Sequence, residues 1–384
     1  MTTRLLMTAD TVGGVWQYAT DLARALRPHG VETTIAVLSP SPSGEGLGRG
    51  TLFGGENPDS PQAASPSPNP SPEGEGLRII HTGLPLDWLC DSPEPVHAAS
   101  QAIADLARDL RADIIHLNSP TLAAATRFPA PVIAVAHGCT ATWWRAAHGT
   151  APDPAYRWQA DLMRAGLLAA DATVAPSRSF ASDLQRTYAL PTAPLAIRNG
   201  RATGEAGQGT PAPHAFTAGR LWDRVKNTAV LDRAAARLSA PIRAAGPVTG
   251  PHGETVRPDH LHLLGTLSTE ALAVELALRP VFVSVTSFEP FGLAVLEAAA
   301  AGCALVLSDI PTFRELWDGA ALFVPAEDDA AVAAAIEALL ADPAYRESLA
   351  GAARIRAARY TPEATAAAMA ALYARLAPAR RAAA

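Results

Sequence analysis

The sequence has 384 residues, which is room for about two to three domains of ordinary size. Hydrophobic residues make up 48% of the chain and charged residues 18%, so a core can be buried and a wholly disordered protein is excluded. The formal net charge of −6 is spread along the chain. That charge argues against a dedicated nucleic-acid-binding protein, because such proteins carry basic patches.

Signals for membrane insertion and secretion are weak. The apolar stretch Ala298–Leu307 is shorter than the roughly 18–20 residues of a membrane span. The apolar residues near the N-terminus are too few for a signal peptide. Cys90, Cys139 and Cys303 lie far apart without CxxC or CxxH spacing, which favours a reducing compartment and no cysteine metal site. We therefore expect a cytoplasmic protein without an integral membrane segment.

Short apolar runs alternate with segments of helical periodicity along most of the chain. The predicted strands are Arg4–Thr8, Thr33–Leu38, Arg78–His81, Asp113–Leu117, Val132–Ala136, Ala172–Ala175, Pro194–Ile197, Ala215–Gly219, Pro241–Ala244, Leu261–Leu264, Val281–Val285, Ala304–Ser308 and Ala321–Val324. The predicted helices include Val15–Leu26, Ala98–Leu110, Tyr156–Ala169, Thr228–Leu238, Thr269–Ala277, Ala330–Leu340 and about Pro362–Leu376. Apolar strands that alternate with helices indicate parallel sheets covered on both faces. The sequence therefore predicts an α/β protein with two Rossmann-like, doubly wound domains.

A stretch without periodicity separates the two groups of strands. Residues 201–213 are rich in Gly, Ala, Thr and Pro, which is typical of a linker. We expect an N-terminal domain over residues 1–200 and a C-terminal domain over residues 214–361. Residues 362–384 would form a final helix and tail, which can pack on either domain, including back on the N-terminal one.

The segment Ser39–Leu77 differs in composition from the rest of the chain. It holds 8 Pro, 8 Gly and 7 Ser, and its Ser-Pro-Ser-Gly-Glu-Gly-Leu at 41–47 is echoed at 71–77. Such a composition buries too little apolar surface to offset its ordering entropy, so the sequence predicts a disordered insertion between two strands. A Pro-rich docking site is the alternative, although no aromatic or basic anchor accompanies it.

The first candidate motif is Asp10-Thr11-Val12-Gly13-Gly14-Val15, between the first strand and the first helix. The glycine pair lets the backbone approach a ligand, and the helix N-terminus favours an anion. The motif lacks a full GxGxxG pattern and the lysine of a P-loop. A tight strand-to-helix turn is therefore the competing interpretation.

A second candidate, His137, follows a strongly apolar strand. Ligands of open parallel sheets bind at the carboxyl ends of the strands, so His137 is expected at a crevice. The alternative is a structural histidine. Trp143 and Trp144 follow closely and either line an acceptor pocket or simply pack.

The third candidate motif runs from Gly219 to Asn227, after the first strand of the second domain. It places Arg220 and Lys226 at one crevice edge, with a helix expected to start near Lys226. Arg offers a planar fork and Lys a mobile point charge, a pair that suits a diphosphate. A solvated basic turn is the alternative.

The fourth motif, Glu289-Pro290-Phe291-Gly292-Leu293-Ala294-Val295-Leu296-Glu297, is the most informative. Proline in a first turn followed by a Leu/Ala run predicts a helix over Gly292–Ala301. Glu289 then precedes the helix and faces the same side as the amides of Phe291, Gly292 and Leu293. Carboxylates beside backbone donors suit a polyol, because each hydroxyl both donates and accepts. Two helical carboxylates placed by chance are the alternative.

Together these motifs resemble the retaining glycosyltransferases of family 4, which share the two-domain GT-B architecture. The resemblance covers almost the whole chain apart from Ser39–Leu77, and its most specific part is the Glu-x7-Glu motif of Glu289 and Glu297. The supporting sequence pieces are Gly13-Gly14, Gly219-Arg220 with Lys226, Asn199-Gly200, Leu264-Gly265, and Pro176-Ser177 with Ser182. One departure is Lys226-Asn227, where the family typically has Lys-Gly.

The resemblance implies a role for each matching residue. Arg220 and Lys226 would bind the diphosphate with backbone near Gly13 and Gly14, and Glu297 would hold the ribose hydroxyls. Glu289, with the amides of Phe291, Gly292 and Leu293, would bind the donor sugar. His137 would lie near the reacting sugar, and Leu264, Gly265 and Leu267 would contact the base. The catalytic set would thus be His137, Glu289, Lys226 and Arg220.

The expected activity is transfer of a sugar from a nucleotide diphosphate sugar to an acceptor, with retention and front-face attack. The resemblance implies an acceptor-side N-terminal domain, a donor-binding C-terminal domain, no cofactor and no metal, and the chain has no Asp-x-Asp sequence. The acceptor is a glycan, a lipid-linked molecule or a small molecule, with peripheral membrane contact left open and nucleic acid excluded. The alternatives are a sugar-nucleotide epimerase, a phosphorylase, or a non-catalytic scaffold of the same architecture.

Overall fold

The computed structural model describes residues 2–10, 13–39, 77–202, 204 and 207–377. Several sequence expectations lie outside these residues. They are the insertion over residues 40–76, Thr11 and Val12 of the glycine motif, linker residues 203, 205 and 206, and the tail over 378–384.

Two parallel sheets organise the described chain. The strands are β1 (Thr3–Asp10), β2 (Val31–Leu38), β3 (Arg78–His81), β4 (Ile114–Leu117), β5 (Val132–Val135), β6 (Ala172–Ala175), β7 (Leu195–Ala196), β8 (Ala215–Ala218), β9 (Ile242–Ala245), β10 (His262–Gly265), β11 (Val281–Ser284), β12 (Ala304–Ser308) and β13 (Leu322–Val324). The first sheet has the order β3-β2-β1-β4-β5-β6-β7, and the second has the order β10-β9-β8-β11-β12-β13. The predicted fold class, two Rossmann-like parallel-sheet domains, is confirmed.

Helices cover both sheets. They are α1 (Gly14–Leu26), α2 (Pro93–Asp109), α3 (Thr140–His148), α4 (Arg157–Ala169), α5 (Arg178–Tyr188), α6 (Thr228–Ala235), α7 (Thr269–Ala277), α8 (Leu293–Ala300), α9 (Pro311–Trp317), α10 (Asp329–Ala341), α11 (Pro343–Ala357) and α12 (Pro362–Leu376). The central strands β4, β5 and β12 are buried along their whole length, because both of their faces are covered. In the part of the chain that the structure describes, no helix combines the length and apolarity of a membrane span.

The order in which successive strands are added reverses once in each sheet, between β1 and β4 in the first and between β8 and β11 in the second. Ligands of doubly wound sheets bind beyond the carboxyl ends of the strands at such a switch point. Gly13 and Asn118 lie just past β1 and β4, and Gly219 and Thr286 lie beyond β8 and β11. The topology therefore places a crevice at these residues in both domains.

The final helix, α12, packs on the N-terminal domain. Its residues Ala366, Met369 and Tyr373 are buried in one core cluster with α1 and β1, and Thr365 donates a hydrogen bond to the carbonyl of Arg198. The chain thus crosses twice between the domains, once after β7 and once between α11 and α12.

The strands on either side of residues 40–76 are adjacent and parallel, with Thr34 opposite Arg78 and Val37 opposite His81. The end of β2 and the start of β3 therefore lie at opposite ends of the strand pair. A short turn cannot join adjacent parallel strands, which need a crossover of about a dozen residues or more. The chain between these two strands runs through residues 40–76, which lie outside the described residues, so the predicted insertion stays a prediction.

Candidate active site

The two crevices meet at the glycine turn after β1. A Cβ atom built on Gly13 would lie 4.0 Å from Nη1 of Arg220, and one on Gly14 would lie 2.8 Å from Cδ1 of Leu293. Gly14 and Leu293 are the first residues of α1 and α8, so the N-termini of these two helices lie close together. Helix N-termini present unpaired amides and a positive end of the dipole, which favour an anion.

Arg220 is held by a buried carboxylate. Its Nη2 lies 2.9 Å from Oδ2 of Asp223, which is 2% exposed, and its guanidinium lies 5.6 Å from the ring centroid of Trp222. The other oxygen of Asp223 accepts a hydrogen bond from Nε1 of Trp143 at 2.8 Å and one from the amide of Val225. Asp223 therefore orients the cation and joins it to α3 of the other domain.

Lys226 pairs with Glu289 across the same edge of the sheet, with Nζ 2.6 Å from Oε2. Lys226 ends a short 3-10 helix, Arg224–Lys226, and α6 begins at Thr228 rather than at the lysine. Gly219 lies beside the lysine, since a Cβ built on it would lie 3.9 Å from Cε of Lys226. The structure thus brings together Gly13, Arg220, Lys226 and Glu289.

The helix after Glu289 starts one residue later than expected. Gly292 has a φ of +93° and caps α8, which runs over Leu293–Ala300. Pro290 precedes the helix, where its carbonyl accepts a hydrogen bond from Oγ of Ser177 at 2.8 Å. Phe291 is 3% exposed and packs in the core. The first-turn amides are therefore those of Leu293, Ala294 and Val295, and of the expected donors only Leu293 lies in this turn.

Glu297 has a partner that the sequence analysis did not identify. Its Oε1 lies 2.6 Å from Nε of Arg201, whose Nη1 lies 2.8 Å from Oδ2 of Asp21 in α1. Burial opposes the charge of Arg201, but Glu297 and Asp21 outweigh it and raise the pKa of the guanidinium. One arginine thus connects both domains beside the expected ribose ligand.

Three glycines meet at the ends of β8, β9 and β10. The amide of Gly219 donates to the carbonyl of Ala245, and the amide of Gly246 donates to that of Gly265. A Cβ on Gly246 would lie 1.7 Å from the carbonyl oxygen of Gly219, so only glycine fits there. Leu264 and Leu267 are partly buried against the domain core and border this edge. The sequence analysis named Gly265 but missed Gly246.

His137 lies at the carboxyl end of β5, where its Nε2 is 2.8 Å from Oδ1 of Asn118. Oδ1 of Asn118 also contacts Nε2 of His116 at 3.1 Å, and Tyr18 lies edge-on to His137 with 4.5 Å between ring centroids. Burial lowers the pKa of His137 to about 3, and His116 adds to that shift. His137 is therefore a neutral imidazole near neutral pH.

Trp143 and Trp144 have different surroundings. Trp143 reaches Asp223 across the cleft, while Trp144 stacks on His148 with ring centroids 4.4 Å apart and contacts Tyr156. Both tryptophans are half-buried. Packing within α3 thus accounts for Trp144, whereas Trp143 links two domains.

A further interdomain contact lies at the start of α5. The carboxylate of Glu315 accepts hydrogen bonds from the amides of Arg178 and Ser179 at 3.0 and 2.7 Å, and from Nη2 of Arg198 at 2.6 Å.

Over the described ranges, His, Cys, Asp and Glu side chains form no group of three or more that could hold a metal ion.

Comparisons with known proteins agree with this geometry. Residues 12–201 match the model of Glycosyltransferase Family 4, and residues 212–342 match the model of Glycosyl transferases group 1. No curated protein matches the chain.

Solved structures share the fold over nearly the whole chain. Sucrose-phosphate synthase from Thermosynechococcus elongatus is 20% identical, with a TM-score of 0.75 over 97% of this chain and 99% of that one. A glycosyltransferase from Rickettsia africae is 14% identical, with a TM-score of 0.67 over 98% and 99%. Anabaena HepE in complex with UDP-glucose is 13% identical, with a TM-score of 0.69 over 97% and 100%.

Proposed function

Since the chain is a glycosyltransferase with the GT-B fold whose N-terminal domain matches family 4, we propose that it transfers a sugar from a nucleotide diphosphate sugar to an acceptor hydroxyl. Retention at the anomeric carbon and independence from a metal ion are part of the proposal. The finding that supports it best is the placement of Arg220 and Lys226 opposite the N-termini of α1 and α8.

Two cations and two helix N-termini form a site for a doubly charged group. Arg220 and Lys226 are each paired with a carboxylate, Asp223 and Glu289, in the structure, so a bound phosphate would share these cations with the carboxylates. Fixed donors aimed at a departing phosphate stabilise the charge that grows on it in the transition state. This arrangement supports diphosphate as the leaving group.

The proposed reaction needs no enzyme nucleophile. The acceptor hydroxyl oxygen attacks the anomeric carbon on the face that the diphosphate leaves, the bond from that carbon to the phosphate oxygen breaks, and the hydroxyl proton passes to the departing phosphate. Glu289 is the carboxylate paired with Lys226, and this 2.6 Å contact suits holding a sugar hydroxyl rather than forming a covalent bond. Neutral His137 likewise suits hydrogen bonding rather than proton transfer.

The metal-independent part of the proposal follows from the same cations. Arg220 and Lys226 supply the positive charge on the leaving group that a divalent ion would otherwise supply. We expect activity in the presence of EDTA to equal activity in buffer alone. Loss of activity that Mg²⁺ or Mn²⁺ restores would contradict this part.

UDP-glucose is the first donor to test, because HepE was solved with UDP-glucose and with UDP. Cys90, Cys139 and Cys303 are all unpaired, which supports the proposed cytoplasmic location.

Donor hydrolysis without an acceptor tests the proposal by proton NMR. A retaining enzyme should release the sugar first as the α-anomer from an α-linked donor, before mutarotation. Lys226→Ala should lose this activity and Arg224→Ala should keep it, because Arg224 is exposed and hydrogen bonds to no carboxylate of the site. First release of the β-anomer would contradict retention, and no release from UDP-, GDP- or ADP-sugars would contradict the proposed function.

A further inference from the structure

A chain of hydrogen bonds leads from the last helix to His137. The hydroxyl of Tyr373 in α12 lies 2.7 Å from Nδ1 of His116, whose Nε2 lies 3.1 Å from Oδ1 of Asn118. The same oxygen lies 2.8 Å from Nε2 of His137. Tyr373 and His116 are at most 2% exposed, and Asn118 is 8% exposed, so water does not compete for these bonds.

The direction of every bond in this chain follows from Asn118. Its Nδ2 donates to the backbone carbonyl of Thr8 at 2.6 Å, and its backbone amide donates to Oγ1 of Thr8. The amide nitrogen therefore faces Thr8, and Oδ1 faces both imidazoles as an acceptor. Both Nε2 atoms must then carry a proton.

Both imidazoles are neutral, because burial lowers the pKa of His116 to about 4 and that of His137 to about 3. A neutral imidazole has a single N–H group. Since that group is at Nε2 in both residues, both Nδ1 atoms are acceptors. The hydroxyl of Tyr373 therefore donates to Nδ1 of His116 and holds its tautomer.

Nδ1 of His137 has no hydrogen-bond partner among the described residues. It is not one of the fully buried side-chain atoms that lack a partner, so it is not completely enclosed. His137 is half-buried at the carboxyl edge of the sheet, on the same edge as Gly13. This nitrogen is thus an unpaired acceptor on a histidine that lies at the edge of the sheet where the cleft is.

We propose that Tyr373, His116 and Asn118 are positioning residues that fix His137 as an acceptor for a hydroxyl group of the substrate sugar. The proposal rests on the proposed function for the identity of that hydroxyl as part of a nucleotide sugar. It gives α12 a part in the active site of the domain on which it packs, and it makes His137 a group that orients substrate without exchanging a proton.

The other titratable groups around His137 keep their protons, so the protonation state of His137 depends on the hydrogen-bonded residues Tyr373, His116 and Asn118. Tyr18 of α1 lies edge-on, and burial raises the pKa of its phenol, so that hydroxyl stays protonated. Tyr373 of α12 also stays protonated, because burial raises its pKa well above the usual value. Cys139 follows in the same loop, and burial raises its thiol pKa as well. His116, a member of the hydrogen-bonded chain, is the neighbour that lowers the pKa of His137 further.

The first test is the tautomer itself, read from the imidazole ¹⁵N shifts of the labelled full-length protein. His116 and His137 should both be neutral with the proton on Nε2 between pH 6 and 8. A protonated His137, or one with its proton on Nδ1, would overturn the inference whatever the enzymatic activity.

The second test replaces Asn118 with aspartate and follows kcat against pH. The carboxylate still accepts from both Nε2 atoms, but its charge raises the pKa of His137, and an imidazolium has no acceptor at Nδ1. The second carboxylate oxygen cannot make the donor bond to the Thr8 carbonyl, and this loss should lower activity at every pH. Asn118→Asp should lose further activity as the pH falls from 8.5, while the wild type stays level. Equal loss at every pH would show that Asn118 acts only on structure and would overturn the proposal.

Tyr373→Phe keeps the aromatic packing of α12 and removes only the hydroxyl. We expect kcat to fall about five- to tenfold, as loss of one neutral hydrogen bond implies, with the donor KM unchanged and a second tautomer of His116 in the ¹⁵N spectrum. Tyr360→Phe is the matched control, because its hydroxyl donates only to the backbone carbonyl of Leu316. Unchanged kcat in Tyr373→Phe would contradict the proposal, whereas an inactive wild type would contradict the proposed function and leave the tautomer result to decide this inference.

Discussion

At the scale of single residues, Lys226 is the cation whose removal should be most damaging. It lies 2.6 Å from Glu289, and a phosphate beside it would compete with that carboxylate for its ammonium. In the proposed reaction, charge grows on the leaving group only as the sugar–phosphate bond breaks, so Lys226 should stabilise the transition state more than the bound donor. Lys226→Ala should lower kcat about 100- to 1000-fold, with a smaller change in donor affinity.

Arg224 is the internal control for that substitution. It lies two positions away in the same 3-10 helix and is exposed. Initial rates against donor concentration should show Arg224→Ala close to wild type. Normal turnover by Lys226→Ala together with an inactive Arg224→Ala would show that Arg224, and not Lys226, supplies the cation.

Substitution of Glu289 and of Glu297 should have different effects on turnover and binding. Glu289 contacts Lys226 at the cations, while Glu297 lies more than one turn further along α8 and contacts Arg201. Glu289→Ala should reduce turnover and sugar discrimination, and Glu297→Ala should mainly weaken nucleotide binding, by about 1–3 kcal/mol per unmatched hydroxyl. Titration with donor and with free nucleotide separates the two effects, and equal losses for both ligands in both variants would contradict the assignment.

The charged groups at strand ends could be predicted from the sequence, whereas their partners could not. Arg220, Lys226 and Glu289 follow recognisable strands, and position alone puts them at a crevice. Arg201 was assigned to a linker by composition, yet it pairs with Asp21 and Glu297 from two domains. Local sequence carries no signal for a contact between residues 180 positions apart.

At the scale of elements, the strand ends β8, β9 and β10 are packed so closely that Gly246 admits no side chain. An alanine there would place Cβ 1.7 Å from the carbonyl oxygen of Gly219, beside Arg220. Gly246→Ala should cost about 2–3 kcal/mol, or roughly 5–10 °C in the thermal unfolding midpoint, and should weaken donor binding.

Gly253→Ala is the matched control for Gly246. Gly253 also has a positive φ, +85°, but a Cβ there would meet no atom within 4 Å. Its cost should be limited to backbone strain, about 1 kcal/mol, without loss of donor binding. Equal midpoints for the two variants would show that the close approach at Gly246 is relaxed in solution.

The connection between β2 and β3 gives a second prediction at this scale. Because these strands are parallel neighbours, replacing residues 40–76 with about twelve Gly and Ser residues should preserve donor binding. The entropy of closing a loop changes with the logarithm of its length, so stability should change by no more than about 1 kcal/mol.

A two-residue junction at the same place should fail, because it cannot span from the end of β2 to the start of β3. Donor titration and thermal unfolding compare both variants with the full chain. Normal folding of the two-residue variant would contradict the parallel pairing, and loss of binding with the twelve-residue linker would give residues 40–76 a role in the site.

Most elements could be predicted from periodicity, since parallel strands are apolar throughout. All thirteen strands fall within about two residues of the expected bounds, as Arg78–His81 and Ala304–Ser308 illustrate. Helix α8 was placed one residue early, because the proline was expected inside the first turn while Gly292, with φ at +93°, caps the helix after it. Glycine at a cap and glycine inside a first turn have the same sequence signal.

At the scale of the whole molecule, the two domains are joined by contacts that lie around the proposed donor site. Trp143 donates to Asp223, Ser177 donates to the carbonyl of Pro290, and α12 carries Tyr373 back to the N-terminal domain. Composition indicated two domains, but the choice of domain for α12 depends on a packing surface that the periodicity of one helix does not identify. Residues of both domains therefore form the cleft.

The central claim is that the cleft binds a nucleotide diphosphate sugar through Arg220 and Lys226. Thermal unfolding of the full chain with UDP-, GDP- and ADP-glucose tests it most directly. One donor at 100 times its dissociation constant should stabilise the protein by about 2.7 kcal/mol, and Arg220→Lys should lose most of that gain because the planar fork is gone. No stabilisation by any of the three donors, or equal stabilisation of Arg220→Lys and the wild type, would contradict the account.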